Sequence, residues 1–366
     1  MAFNKNQHFV PKVHLRPFSL DGENLAISLI NLRQMKPIPN APVRNQCSSD
    51  YFYGKDPKLE SAINFVENHY GEVVRLLEDG HPTVDGRVNI VLKRFAYLQY
   101  LRTESASRAA SEMVLALQDV PGSDISVPPM RVAMLAAVQA AMLHFNETMK
   151  IVDDLKLCLV RNHTDMPFVT SDNPAILTNR LHLQRRHKAL NSFGVKSAGA
   201  IFALPLNSQL CAILYDGAVY SSEARAHWVD GTKPADIAAL NAMQVLGCAS
   251  NIYFRHWDRR EDHLAAAKLV ADRRPSSRHT VTHLVLEETN DWGEYYAVKP
   301  ITDIRNGEKA MVHVKTNHPS PTSWPSFLRF RSNASAYSNN TGAGLTREWC
   351  LEAGFVRGDG YRKVSV

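Results

Sequence analysis

A chain of 366 residues with 45 % hydrophobic content can bury a substantial core, as one large domain or two ordinary ones. Its formal charge of +6, with an isoelectric point near 9.0, makes a nucleic acid or another polyanion the favoured large partner. Five scattered cysteines without a C-x-x-C pair suggest neither a disulfide framework nor a zinc knuckle, and fit reduced thiols in the cytoplasm. The polar start of the chain has no signal-peptide core. The most apolar run, residues 132–145, is too short for a membrane span and is interrupted by Gln139 and His144, so a soluble cytoplasmic protein with no membrane contact is expected.

The chain opens with Asn6-Gln7-His8-Phe9-Val10-Pro11, which reads as an edge strand that inserts an imidazole into a site assembled later. Residues 25–32 alternate apolar and polar side chains, the pattern of a half-buried strand pairing with the first. Pro37, Pro39 and Pro42 then predict an irregular connection. Asp56-Pro57 marks a helix start, an N-cap followed by proline in the first turn. On that helix Glu60 and Glu67, seven apart, share a face.

A second helix is expected over residues 85–103, with the stripe Val88, Leu92, Phe95, Gln99 and Arg102. Its last two members are polar: either the helix end leaves the core, or Gln99 and Arg102 point into a polar pocket. A third helix (105–117), a Pro/Gly/Ser linker (121–129) and a long helix (130–159) complete a helical first half. The second half changes character. Strands are expected at 166–170, 200–206 and 210–215, a helix at 234–247 and a short strand at 252–254; weaker strands follow at 282–287, 295–298 and 327–330. The expected organisation is a single α+β core domain over 1–260 and a C-terminal extension over 261–366. Its fold class is a helical bundle packed on a small, largely antiparallel sheet, built from the N-terminal strands and those of the second half.

No G-x-S-x-G, G-x-x-x-x-G-K-[ST], G-x-G-x-x-G or H-E-x-x-H motif occurs. Four polar clusters remain. His8, beside Asn6 and Gln7, is either an acid or base near neutral pH or a strand-edge histidine bonded to a carbonyl. Glu60 and Glu67 either orient a base or hold a divalent metal, or are solvated charges. Gln99-x-x-Arg102-Thr103 offers an arginine fork to phosphate or carboxylate, or an internal salt bridge to one of those glutamates. Thr170-Ser171-Asp172-Asn173-Pro174 offers Asp172 as acid/base or metal ligand, or forms an Asx turn. Two basic segments, 180–188 and 255–260, either follow a phosphate backbone or are surface loops.

Several of these motifs, in this order, resemble a bacterial family designated domain of unknown function 4238. They are Gln7-His8-Phe9-Val10-Pro11, Leu15-Arg16-Pro17-Phe18, an aromatic pair (Phe52, Tyr53) before the glutamate helix, Gln99-x-x-Arg102-Thr103, Phe168-x-Thr170-Ser171-Asp172-Asn173-Pro174, Leu204-Pro205-Leu206 and a helix carrying Asn241. The resemblance covers roughly residues 8–254 and implies a residue set rather than a reaction.

From side-chain types and charge, the leading expectation is a phosphodiester-cleaving enzyme, a nuclease acting on RNA or DNA in the manner of a toxin or phage-defence effector. His8 is its expected acid/base, Arg102 the phosphate ligand and Asp172 a second acid/base or metal ligand. Gln7, Glu67, Gln99, Thr103, Ser171 and Asn173 are the expected substrate contacts, and a divalent metal is the candidate cofactor. The alternative is a non-catalytic module, binding nucleic acid or protein, in which the polar clusters form a structural hydrogen-bond network.

Overall fold

The computed structural model describes residues 5–118, 128–184, 192–275, 277, 279–291, 293–340 and 344–366. Strand β1 (Asn6–His8), the short helix α1 (Lys12–Leu15) and strands β2 (Ala26–Asn31), β3 (Lys36–Pro42) and β4 (Ser48–Asp50) open the chain. β1 pairs antiparallel with β4, whereas β2 pairs with β3, so the expected β1–β2 pairing does not form. The proline-rich stretch expected to be irregular is β3 itself. It lies at the sheet edge, where its prolines remove few ladder bonds.

Four longer helices follow. Helix α2 (Pro57–Glu78) is capped by Asp56, whose carboxylate accepts from the Lys58 amide at 2.9 Å; α3 (Gly86–Leu101) is capped in the same way by Asp85. The backbone turns sharply at Arg102, and Thr103 caps α4 (Glu104–Gln118) by accepting from the Ala106 amide at 3.2 Å. The linker expected over 121–129 falls mostly outside the described residues. Helix α5 (Met130–Thr148) ends earlier than expected. Residues that appeared to continue it form strand β5 (Lys156–Asn162), because an unbroken run such as Leu157-Cys158-Leu159-Val160 has no period to separate helix from strand.

After β5 come β6 (Thr170–Ser171), β7 (Ile176–Thr178), the short helix α6 (Arg180–Gln184), β8 (Ile201–Pro205), β9 (Leu210–Tyr215), β10 (Tyr220–Ser222), β11 (Trp228–Gly231), helix α7 (Pro234–Gly247) and β12 (Asn251–Phe254). One sheet has the order β11-β5-β9-β8-β7 and is antiparallel apart from the β11–β5 pair. It is covered on both faces: Leu157 and Leu159 join the core with α2 and α3, while Cys158 and Val160 face Ile237, Leu240 and Met243 of α7. That double burial explains the continuous apolar strands. A second sheet, β3-β2-β12-β6, is wholly antiparallel and joins N-terminal strands to those of the second half. The fold is therefore mixed α+β, helices on largely antiparallel sheets.

Helix α8 (Arg260–Val270) packs beside α7 and leads to a three-stranded antiparallel sheet in which β13 (His279–Asn290) lies between β14 (Gly293–Val298) and β15 (Ala310–Thr316). The end of the chain then returns to the body. Arg347, 2 % exposed, pairs with Asp154 and donates to the carbonyls of Ile151 and Val195 at 2.7 and 2.8 Å. Cys350 sits in the main core. Among the described residues, no helix is long and apolar enough to cross a membrane.

Candidate functional site

Most of the polar residues singled out in the sequence lie along one connected path of hydrogen bonds, much of it buried. Gln7 is 5 % exposed; its amide donates to the Gly54 carbonyl at 3.0 Å and its oxygen accepts from the Tyr53 N–H at 2.7 Å. This ties β1 to the loop before α2. Gln99, fully buried at the end of α3, donates to the Phe9 carbonyl at 2.8 Å and accepts from Arg102 Nε at 2.9 Å. Arg102, also fully buried, donates through Nη1 to Glu67 at 2.6 Å. Burial opposes its charge, but Tyr53 and Glu67 outweigh that and hold the guanidinium still more firmly protonated. It is thus the internal salt bridge to a glutamate that the sequence left open.

Arg102 and Thr103 form a joint between α3 and α4. Arg102 reaches Glu67, while the hydroxyl of Thr103 donates to Asn173 Oδ1 at 3.1 Å. Beyond that bond lies the second group. Asn173 also donates to the Gly247 carbonyl at 3.0 Å, and Ser171 donates to Gln244 at 2.8 Å. Gln244 donates in turn to the Pro174 carbonyl at 2.9 Å. One turn earlier on α7, Asn241 bonds both the Val169 N–H and the Pro167 carbonyl. The carboxylate of Asp172 accepts three backbone N–H groups, from Ala249, Ser250 and Asn251, at 2.7, 2.7 and 2.9 Å. This is a loop clamp: it shapes the turn between α7 and β12 and is absent from the His8 pocket. Asp172→Ala is expected to cost roughly 3 kcal/mol, since it strands three amides that had a charged acceptor; urea unfolding at pH 7 measures it.

His8 differs from the rest. It ends β1 half-buried, and both ring nitrogens are shielded and lack a hydrogen-bond partner. Burial, helped by the charge of Lys12 and opposed by the Gln46 backbone, lowers its pKa to about 4. It borders a pocket of about 210 Å3 with Gln7, Lys12, Tyr53, Glu60, Asn64 and Glu67. Local sequence explains the convergence. Pro11 starts α1 and places Lys12 just past His8, while Glu60, Asn64 and Glu67 recur at helical spacing along α2. The hydroxyl of Tyr53 donates to the His8 carbonyl at 3.3 Å. The pocket therefore combines an unbonded imidazole, an ammonium and two carboxylates, one of them fixed from behind by Arg102. Among the described residues, no three His, Cys, Asp or Glu side chains are grouped as metal ligands would be. An ion held by Glu60 and Glu67 would take its other ligands from water or substrate.

Sequence reasoning overlooked His14. It is fully buried, with Nδ1 2.7 Å from the Tyr70 hydroxyl and Nε2 2.9 Å from Thr170 Oγ1, and burial, with Arg102 adding to it, lowers its pKa to about 3. Lys12 and Asn64 were also missed, although Asn64 is one turn from Glu60. The basic segments are partly occupied internally: Arg180 lies over Phe330 at 5.0 Å and donates to the Leu328 carbonyl, and Arg260 lies over Trp257 at 5.2 Å. Residues 185–188 of the first segment fall outside the described residues.

No curated protein and no solved structure matches the chain. Residues 6–258 match the model of a family described as "Protein of unknown function (DUF4238)". That span starts at β1 and ends just beyond β12, so it takes in the His8 pocket and the hydrogen-bond path behind it. With more than half of its length inside that match, the chain belongs to the DUF4238 family.

Proposed function

We propose that the pocket around His8 cleaves phosphodiesters and that the protein is a nuclease. The observation that carries this reading is the imidazole of His8, unbonded at both nitrogens in a pocket where Gln7, Tyr53 and Glu67 are anchored. His8 is neutral at pH 7, the form a general base needs. In the proposed step the His8 ring, its nitrogens shielded at rest, turns toward the pocket and takes a water proton as the water oxygen bonds to phosphorus. The opposite P–O bond breaks, and its oxygen takes a proton from solvent. Lys12 offsets phosphate charge, and Glu60 and Glu67 orient the water or a divalent ion. Arg102 acts through Glu67 as a positioning residue.

The test is cleavage of labelled RNA and DNA oligonucleotides, with and without Mg2+ or Mn2+. His8→Gln is expected to lower the rate at least about 100-fold, the usual minimum for losing a general base, with the melting temperature little changed. Wild-type kcat/KM is expected to show no acid limb between pH 7 and 5.5, because the base titrates near 4. An unaltered rate in His8→Gln, or no cleavage by the wild type, sinks the proposal.

A second reading, a non-catalytic module that binds nucleic acid or protein, is favoured by the internal bonding of Gln7, Glu67, Gln99, Arg102, Thr103, Ser171, Asp172 and Asn173. It predicts that His8→Gln changes neither stability nor affinity. It also predicts oligonucleotide binding that weakens steeply with salt and no cleavage.

A further inference from the structure

Where the end of α2 meets the residue after α1, the ends of β5 and β12 and the β8–β9 turn lies an open groove of about 650 Å3. It shares no lining residue with the His8 pocket. Arg16, Arg161, Arg255 and His163 line it, with Gln209 beside them, and Glu78 is the one carboxylate among its described lining residues. That carboxylate is engaged from within the protein: Arg16 faces it at 3.7 Å and Asn207 donates to it at 3.3 Å.

Two arginines are left for an outside anion. Arg161 lies over the ring of Trp228 at 3.9 Å, and such stacking fixes the plane of a guanidinium while leaving its N–H edge to bond a phosphate. Asp230 stands 4.0 Å from Arg161, beyond hydrogen-bond distance, and is bonded instead to His163 at 3.0 Å. Arg255, the first residue of the basic segment 255–260, makes no hydrogen bond or ion pair among the described residues.

The groove and the His8 pocket open along one face of α2. Glu60 and Glu67 border the pocket, and Glu78 borders the groove about three turns beyond Glu67, about 16 Å away at 1.5 Å per residue. Between them α1 packs on α2, where Gly71 lets Val13 approach closely. Lys12 then falls at the pocket and Arg16, one turn on, at the groove. Positive charge that continues from the pocket over this distance suits a long charged chain better than a compact anion. About five nucleotides span it at ~3.4 Å per step.

We propose that the groove holds the backbone of a nucleic-acid strand several nucleotides from the bond attacked at His8, with Arg161 and Arg255 as its phosphate ligands. The choice of nucleic acid over an acidic peptide rests on the phosphodiester reading of the His8 pocket.

Fluorescence anisotropy of the full chain with labelled single-stranded 12-mers of RNA and DNA tests this by binding alone, on a His8→Gln background in EDTA so that no turnover intervenes. A 12-mer, long enough to span pocket and groove, should bind at least about tenfold tighter than a trinucleotide. Adding Arg161→Gln and Arg255→Gln together should weaken the 12-mer at least about tenfold and flatten the log–log salt dependence by about 1.4, at about 0.7 per phosphate contact on a single strand. Because Arg161→Gln also gives up the stacking on Trp228, Arg255→Gln alone provides a variant that breaks no bond among the described residues; it should cost at least about threefold with an unchanged melting temperature. Lys299→Gln with Lys309→Gln, the same charge change in the sheet of β13, β14 and β15, should cost less than about twofold. Unaltered affinity in the arginine variants, an equal loss in the lysine control, or equal binding of a glutamate 12-mer overturns the proposal. Cleavage is scored separately: a nuclease that depends on His8 but binds as well without the two arginines loses only the groove, whereas weakened binding with cleavage indifferent to His8 loses only the nuclease reading.

Discussion

Replacing Arg102 with methionine is expected to destabilise the protein by about 3–5 kcal/mol, the range for breaking one side of a buried ion pair. The guanidinium is fully buried and bonds both Glu67 and Gln99. Methionine would fill much of the volume but leave the carboxylate of Glu67, 18 % exposed, without its counter-charge. Adding Glu67→Met should recover part of the loss, because the double variant no longer carries the uncompensated charge. Urea unfolding of the single and double variants at pH 7 measures both. Losses that simply add would show that the pair is not coupled and that Arg102 does not hold Glu67.

Acidification should weaken the fold steeply below pH 6.5 through four histidines that burial shifts down, of which His14 is the most strongly shifted. Its folded pKa of about 3 lies below the ordinary 6.5, so between those values the unfolded chain binds a proton that the native protein does not. Stability must then fall as pH falls, by about 1.4 kcal/mol per pH unit for this residue and roughly 4–5 kcal/mol over the whole interval. The loss levels off below the folded pKa. His8, His263 and His318, each lowered to about 4 first by burial, act in the same direction. His14→Gln should reduce the slope of unfolding free energy between pH 6 and 5 by about one proton's worth, even if its stability at pH 7 is lower. Parallel slopes for wild type and variant would show that His14 is not a buried neutral group.

Much of the architecture could be read from residue spacing. The capped helix starting at Asp56-Pro57, the helix ending near Arg102 and the hairpin around Asn207-Ser208 all lie where turn and capping chemistry placed them. The run around Leu157 to Val160 misled because both faces of that sheet are buried, which erases the alternation that marks a strand. The sequence of β3 misled for the opposite reason: proline predicts irregularity in a central strand but is tolerated at an edge, and edge position is a tertiary fact. In the site, residue type could not tell a binding carboxylate from a clamping one. Asp172 and Glu67 look equally able to act, yet the Asp172 carboxylate is turned onto the amides of 249–251, whereas Glu67 borders a pocket. His14 was hidden because an imidazole within Lys12-Val13-His14-Leu15 has no local partner. Tyr70 and Thr170 reach it from 56 and 156 residues away.

The prolines of β3 have a consequence outside the molecule. In Lys36–Pro42, Pro37, Pro39 and Pro42 leave three of seven positions without an amide hydrogen at the free margin of a four-stranded sheet. A strand from a second copy approaching that margin would find a ladder with missing rungs, and edge-to-edge stacking would stall there. The same residues that conceal the strand in the sequence keep the sheet from growing between molecules.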